Sequence, residues 1–300
     1  MKAAPFAYVR PTRLQDAVTE LGSAQHGGGK VIAGGQSLVP VLAMRLGRPS
    51  TLVDITRVEE LTHMTVDDQC LRVAAAVRQR RVQREASQLV PLLGLALPWV
   101  GHREIRSRGT VCGSLAHADP SAEMPAVAMS LNATVEVTGP NGRRQVSAAD
   151  FFTGAMATVT EPTEIVTSVS FPIASSDEGY GFAEIARRHG DYAIAGVAAR
   201  VRSTSGAVVE APITSFGVSD KPQLRDMSGA LQRAVDSLGD PAAPTSEITN
   251  ALEEPAHAMA EDVVTTAGDS HGSTAYRKRL VRVLAARELA RAYRSSLKGA

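Results

Sequence analysis

Two glycine-bearing segments about 75 residues apart carry the chemistry legible in this chain. The first reads Val31-Ile32-Ala33-Gly34-Gly35-Gln36-Ser37-Leu38. The second reads Gly109-Thr110-Val111-Cys112-Gly113-Ser114-Leu115-Ala116-His117-Ala118-Asp119-Pro120. Each offers bare backbone N–H groups and small hydroxyls beside a strand or helix end. A side chain would hold a phosphate away from the main chain; glycine lets it approach, and the N–H dipoles supply the compensating charge. Two such segments predict a diphosphate, and so a dinucleotide, clasped from both sides.

Other chemistries lack their residues. Cys70 and Cys112 are the only cysteines. An iron–sulfur cluster takes about four Cys ligands, and a structural zinc site about four Cys or His at short spacing; the seven dispersed histidines do not make up the shortfall. Cys112 reads as a small buried filler, having no basic partner to make it a reactive thiolate. A net charge of +1 gives no field for nucleic acid or an acidic membrane. The run Arg78-Gln79-Arg80-Arg81-Val82-Gln83-Arg84 lacks interleaved aromatics and reads as a solvated helix face. No stretch reaches the roughly 18 apolar residues of a membrane span, no apolar leader follows Met1, and scarce cysteines fit a reducing compartment. A cytoplasmic protein without membrane insertion is expected.

The elements that must position the two segments follow from periodicity. Thr12 to Gly22 reads as a helix capped by Thr12, with Leu14, Ala17, Val18 and Leu21 on one face. Gly27-Gly28-Gly29 is a turn, and Lys30 to Ala33 a strand running into the first glycine segment. Leu38, Val41, Leu42 and Leu46 predict a helix ending at Gly47. Strands are expected at 51–55 and 71–77, and a helix over 82–97 broken by Pro91. After the second glycine segment, Asp119 is placed as N-cap and Pro120 as first residue of a helix continuing to Leu131. Asn141-Gly142 marks a hairpin between strands 134–137 and 143–146, and 164–171 forms another strand. The small polar stretch 174–179 is taken as a domain boundary. Beyond it, paired strands at 193–202 and 208–218 precede helices near 225–238, 246–260 and 275–294. Strands first and helices after give an α+β class.

Three segments in order resemble the FAD-binding medium subunits of molybdenum hydroxylases, the carbon monoxide dehydrogenase and xanthine dehydrogenase relatives. They are Ala33 to Leu38, Arg108 to Pro120, and Arg187-Arg188-His189-Gly190-Asp191-Tyr192-Ala193-Ile194-Ala195. The resemblance runs from Phe6 to about Tyr293. It implies a two-subdomain, PCMH-type FAD-binding region over 1–176 (subdomains about 1–56 and 57–176). A C-terminal domain with a small antiparallel sheet and helices would occupy 177–296.

By motif match, Ala33, Gly34, Gly35, Gln36, Ser37 and Leu38 carry over as the loop that wraps the diphosphate, joined by Thr110, Gly113 and Ser114. Glu123 falls where an acidic residue holds the adenosine ribose, Val166 where an apolar residue contacts the flavin or adenine, and Asp191 and Tyr192 on the segment that approaches the isoalloxazine. His117 lies inside the second motif, either as a flavin neighbour or as a loop histidine satisfied by backbone groups. Two departures stand out. Cys112 replaces a common glycine and fits only where φ is negative. Gln36 stands where some relatives have His, cannot form a covalent link, and so implies dissociable FAD.

The resemblance further implies no catalytic residue on this chain. Substrate would be oxidised at a molybdenum cofactor on a large partner subunit. Electrons would pass through 2Fe–2S clusters on a small partner to this chain's FAD, and thence to an external acceptor. The assembly would be a heterotrimer, doubled to a dimer of heterotrimers. Substrate candidates run from carbon monoxide, disfavoured by Gln36, through purines and nicotine-like heterocycles to aromatic acyl thioesters. Two rivals stay open from the residues alone: a self-sufficient flavin oxidase or reductase with its own substrate pocket, and a module that kept the fold and lost the cofactor.

Overall fold

The computed structural model describes residues 2–24, 28–67 and 69–299. Its first lobe comprises β1 (Ala7–Val9), α1 (Leu14–Ser23), β2 (Gly29–Ile32), α2 (Leu38–Ala43) and β3 (Thr51–Asp54). The strands form a parallel sheet in the order β1-β3-β2. In α1 the predicted stripe Leu14, Ala17, Val18 and Leu21 is buried as a unit, the i, i+3, i+4, i+7 pattern of one helix face. The helix starts later than expected: Arg13, not Thr12, precedes it, and makes no capping bond. α2 also stops early. Arg45 turns left-handed (φ 59°), and the N–H groups of Arg45 and Leu46 fold back onto the carbonyls of Leu42 and Val41. Gly27 of the expected glycine turn lies outside the described residues.

The second lobe begins with β4 (Met64–Val66) and β5 (Cys70–Ala74), followed by α3 (Gln79–Glu85), α4 (Pro91–Ala96), α5 (Arg103–Arg106), α6 (Val111–His117) and α7 (Glu123–Ser130). It continues with β6 (Thr134–Gly139), β7 (Gly142–Ser147), α8 (Ala148–Phe151), the small hairpin β8 (Phe152–Gly154) and β9 (Ala157–Thr158), and β10 (Ile165–Pro172). The main sheet is antiparallel, ordered β4-β5-β10-β6-β7. The helical stretch is broken as expected: α3 ends at Glu85 and Pro91 starts α4, since its missing N–H costs nothing in the first turn. Asp119 does not cap α7. That helix starts at Glu123, and the Asp119 carboxylate instead accepts the Ser121 N–H at 2.8 Å, a local turn that competes with helix initiation.

The third lobe holds β11 (Glu178–Ile185), β12 (Ala195–Thr204), β13 (Ala207–Glu210), β14 (Pro212–Phe216) and β15 (Gln223–Asp226), then α9 (Ser228–Leu238), α10 (Thr245–Ala251), α11 (Glu253–Val263), the two-residue strands β16 (Gly268–Asp269) and β17 (Gly272–Ser273), and α12 (Thr274–Ser296). Its sheet runs β11-β12-β14-β15, with β13 also paired to β12. The helix expected from 225 yields its first residues to β15, and the one expected over 246–260 divides at Leu252 into α10 and α11. Along β12, Ala198 faces the core of the first two lobes, whereas Val197, Ala199 and Val201 face the third lobe's own core. This is the two-residue alternation of a sheet buried on both sides. α12 lies against β11 so closely that a Cβ on Gly181 would sit 2.4 Å from the Glu288 carbonyl oxygen.

α7 joins the lobes. All eight of its residues are buried, it packs on β12 and β14, and the Ser130 hydroxyl donates to the Ala198 carbonyl at 2.8 Å. A helix apolar on every side belongs between two layers. The whole is an α+β molecule: a small parallel sheet, a helix-backed antiparallel sheet, and a second antiparallel sheet with its own helices.

Candidate functional site

The first glycine segment leaves β2 at Ile32 and enters α2 at Leu38. Gly35 takes φ +70°, which glycine adopts without strain. The Gln36 side-chain amide donates to the Gly34 carbonyl at 3.0 Å, and the Val39 N–H to Gly35 at 2.9 Å. The carbonyls are thereby engaged, while the N–H groups of residues 34 to 38 have no partner among the described residues. Five consecutive unpaired donors, half-buried, form a concave anion receptor.

The second segment closes on the first. A Cβ on Gly34 would lie 2.3 Å from the Arg108 carbonyl oxygen and 2.7 Å from the Gly109 Cα. The two glycine runs therefore meet backbone to backbone. Arg78 and Gln79 hold the second in place: the Arg78 guanidinium donates to the Arg108 carbonyl, and the Gln79 N–H to the Gly109 carbonyl at 2.9 Å. Much of this segment is helix. Thr110 caps α6, its hydroxyl accepting the Gly113 N–H at 3.0 Å and its carbonyl the Ser114 N–H. Those two N–H groups are thus engaged within the cap. The Ser114 hydroxyl has no partner among the described residues. Cys112 sits inside the helix, where φ is negative, so its side chain is tolerated. It is buried, and burial pushes its thiol up to about 12, which makes it the inert filler expected.

The third segment reaches both. Gly190 abuts the His102 ring, where an added Cβ would come within 2.9 Å, and the His189 and Trp99 rings lie 5.3 Å apart. Tyr192 presents 60% of its surface to solvent. Its hydroxyl end is nonetheless desolvated, which raises its pKa; the Asp119 charge adds to this and the adjacent Ser37 hydroxyl opposes it. Asp191 forms a loose pair with Arg187 at 3.6 Å. Leu38 opens α2 and Ala33 closes the strand side of the loop.

Glu123 and His117 flank the cradle. Glu123 is the first residue of α7 and only 7% exposed; burial pushes its carboxyl up to about 7. His117 ends α6, and burial lowers its pKa. Val166 is buried on β10, the strand under α6; no described hydrogen bond links it to either glycine segment. Sequence reasoning missed two buried groups. Gln79 leaves its side-chain oxygen unpaired 2.7 Å from where a Cβ on Gly109 would stand. Glu184, on β11 and 4% exposed, has neither carboxylate oxygen paired; burial, then the nearby Glu123 charge, push it up to about 8. Gln79 lies in the run read as a solvated helix face, but it starts α3 buried against Gly109; Glu184 had no motif to flag it, because the sheet of the third lobe brings it there.

No group of three or more His, Cys, Asp or Glu among the described residues could hold a metal. What the geometry offers is an anion cradle shared by three segments of chain. The match of known families to this chain is decisive. Residues 4–174 fit the FAD binding domain in molybdopterin dehydrogenase, and residues 180–292 the CO dehydrogenase flavoprotein C-terminal domain.

The chain belongs to the FAD-binding flavoprotein subunits of the molybdopterin dehydrogenases.

This flavoprotein subunit is 36% identical over 297 residues, 97% of its length and 96% of the relative's, to the 6-hydroxypseudooxynicotine dehydrogenase complex subunit alpha of Paenarthrobacter nicotinovorans. It is 30% identical over 296 residues, 96% of each chain, to the carbon monoxide dehydrogenase medium chain of Afipia carboxidovorans. Among solved structures it is similar to quinoline 2-oxidoreductase from Pseudomonas putida 86, with TM-score 0.86, 34% identity, and 99% and 100% of the two chains covered. The first two relatives are named as one subunit or chain of a dehydrogenase, and the self-sufficient flavin enzyme held open above is not among the three. The subunit's own residues fit FAD: the Gly34 position is one that a Cβ would fill, and the unpaired N–H row beside it suits a diphosphate. The subunit is an FAD-carrying electron-transfer component, with the molybdenum cofactor and iron–sulfur clusters on other chains. Among the described residues, no helix is long and apolar enough to cross a membrane.

Proposed function

We propose that this chain holds dissociable FAD on the cradle of residues 33–38 closed by 108–114, within a cytoplasmic dimer of heterotrimers that hydroxylates an N-heteroaromatic compound. The observation that carries the reading is the backbone contact of Gly34 with Arg108 and Gly109 beside five unpaired N–H groups. A diphosphate there gains hydrogen bonds that the protein alone leaves unmade, and charge-assisted bonds of this kind are the strong ones. Gly34, Gly35, Gln36, Ser37 and Leu38 supply that row and Ala33 leads into it from the strand; Thr110 and Gly113 shape the opposing wall through their mutual cap, and the Ser114 hydroxyl adds a donor. Glu123 accepts from a ribose hydroxyl. Val166 backs the site from the sheet, and His117 lines its edge. Asp191 steadies the turn that presents Tyr192, which stands beside the isoalloxazine.

FAD, when bound, supplies the redox chemistry. The chain binds it, orients it and controls who reaches it. A cleft of about 280 Å³ is lined by Tyr192 together with Asp220, His271 and Arg277. Tyr192 lines that cleft and also approaches Ser37 of the cradle, which supports a role in gating the external acceptor. The heteroaromatic reading is supported by the nicotine-pathway, caffeine and quinoline names among the relatives. Residues 1–176 form the FAD-binding part and 177–296 the C-terminal part. That Gln36 offers no atom for a covalent link supports dissociable FAD.

The test uses the FAD-loaded chain alone and in its complex. With a heteroaromatic substrate and no oxygen, the flavin absorbance of the complex bleaches and that of the isolated chain does not. Bleaching of the isolated chain by the organic substrate would contradict the reading.

A further inference from the structure

We infer that the cleft between α4 and the end of α12 is a binding site for a small organic anion, one with a charged head on a flat apolar body. The cleft has a volume of about 550 Å³ and takes no residue from the FAD cradle. Its lining comes from the second lobe on one side (Ser87, Pro91, Gly94 and Leu95) and from the third on the other. That volume and a seat between two lobes are typical of small-molecule sites. It lies well away from the proposed flavin site. Tyr180, which lines it, is five residues before Ile185 on β11, and the far end of that strand leads to Tyr192; at about 3.3 Å per residue the two ends are roughly 17 Å apart. Both walls are held rigidly. A Cβ on Gly179 would overlap the Ala292 carbonyl of α12, and one on Gly94 would come within 2.8 Å of Ser87. A site preformed in this way loses little on binding.

Charge sets the sign of the occupant. Arg291, Arg294 and Lys298 line the cleft, and no acidic side chain does. With Ser295 they follow at i, i+3, i+4 and i+7, a single helical stripe carried on by the turn at 297–299. Arg291 is paired with buried Glu288 at 2.9 Å. Arg294 and Lys298 have no hydrogen-bond or ion-pair partner among the described residues. Cations three and four residues apart repel each other, a cost that the fold leaves standing and an anion removes. Compensation of the helix dipole accounts for a cation in the last turn, but not for three on one hollow with the Thr245 and Ser295 hydroxyls beside them. The opposite wall selects the body. Pro91 and Leu95 are apolar, Leu95 is 43% exposed, and the Tyr180 hydroxyl is engaged by Glu178, which leaves its ring for the cleft. An inorganic ion would leave that wall in water. An organic anion covers it while its head meets the arginines, which suit carboxylate and phosphate alike.

The test is calorimetric titration of the FAD-loaded chain, whose cradle is then filled, with adenosine monophosphate, naphthalene-2-carboxylate, uncharged adenosine and inorganic phosphate. The expected result is one organic anion bound per chain without release of flavin, at least tenfold more tightly than inorganic phosphate, and no binding of adenosine. The tighter of the two organic anions identifies the head as phosphate or carboxylate. Arg294→Glu/Lys298→Glu weakens that anion at least tenfold with flavin content and melting temperature unchanged, and Arg294→Lys retains it. Leu95→Asn weakens the organic anion and leaves inorganic phosphate as it was, and this variant decides the matter should the charge reversal lower the melting temperature. Failure of the wild-type chain to bind either organic anion overturns the inference. So does undiminished binding by the charge-reversed variant, and so does equal affinity for inorganic phosphate, which would mark a bare basic surface.

Discussion

At the scale of single residues, the account turns on groups that have no partner in the protein. Gly34 is the sharpest case, because any side chain there meets the Arg108 carbonyl at 2.3 Å. Gly34→Ala should push the two glycine runs apart, weaken FAD at least tenfold and cost the apo chain roughly 1–3 kcal/mol; fluorescence titration and urea melts measure the two. Glu184 gives a second prediction. Its carboxyl, pushed up to about 8 by burial and by Glu123, lies well above an unfolded glutamate. Between those pH values the folded chain binds more protons than the unfolded one, so stability falls as pH rises. Glu123, pushed up to about 7 chiefly by burial, with Asp119 adding and Arg106 opposing, acts in the same direction. The apo chain should lose melting temperature steadily from pH 5 to pH 8. Glu184→Gln should flatten that slope and gain roughly 2 kcal/mol at pH 8. A flat wild-type profile would contradict the burial of these two acids as the cause of their raised pKa values.

Elements position those residues, and here sequence and structure can be compared one by one. The stripe of α1, the Asn141-Gly142 hairpin and the long β10 are legible because each is fixed by local pattern: 3.6-residue periodicity, a turn residue free to take positive φ, an apolar run. The first glycine segment is legible for the same reason, since its chemistry is in the backbone. The starts of α1 and α7 and the end of α2 are not, because several nearby polar residues can close a terminus. Asp119 spends its carboxylate on a turn rather than on a cap. Glu184 and Gln79 are illegible for a deeper reason, as only the packing of distant strands and loops makes them unpaired. The close approach of α12 to β11 is likewise tertiary. Gly181→Ala should destabilise the chain by about 3 kcal/mol, since backbone atoms of α12 cannot yield. Gly154→Ala, with nothing within 4 Å, should change stability little. Equal denaturation midpoints for the two would show that the helix sits farther from the sheet.

At the scale of the whole molecule, the proposed FAD site draws on all three lobes. The cradle takes one wall from the first lobe, one from the second and Tyr192 from the third, so ligand binding should stabilise all three together. Free FAD at a hundred times its dissociation constant should add about 2.7 kcal/mol to unfolding. The most direct test of the central claim reads the cradle's own donors. Hydrogen exchange of the amides of residues 34 to 38 should be fast in the apo chain, where they have no partner, and slow at least tenfold on stoichiometric FAD binding. Bound flavin with those five amides still exchanging at the apo rate would contradict the account.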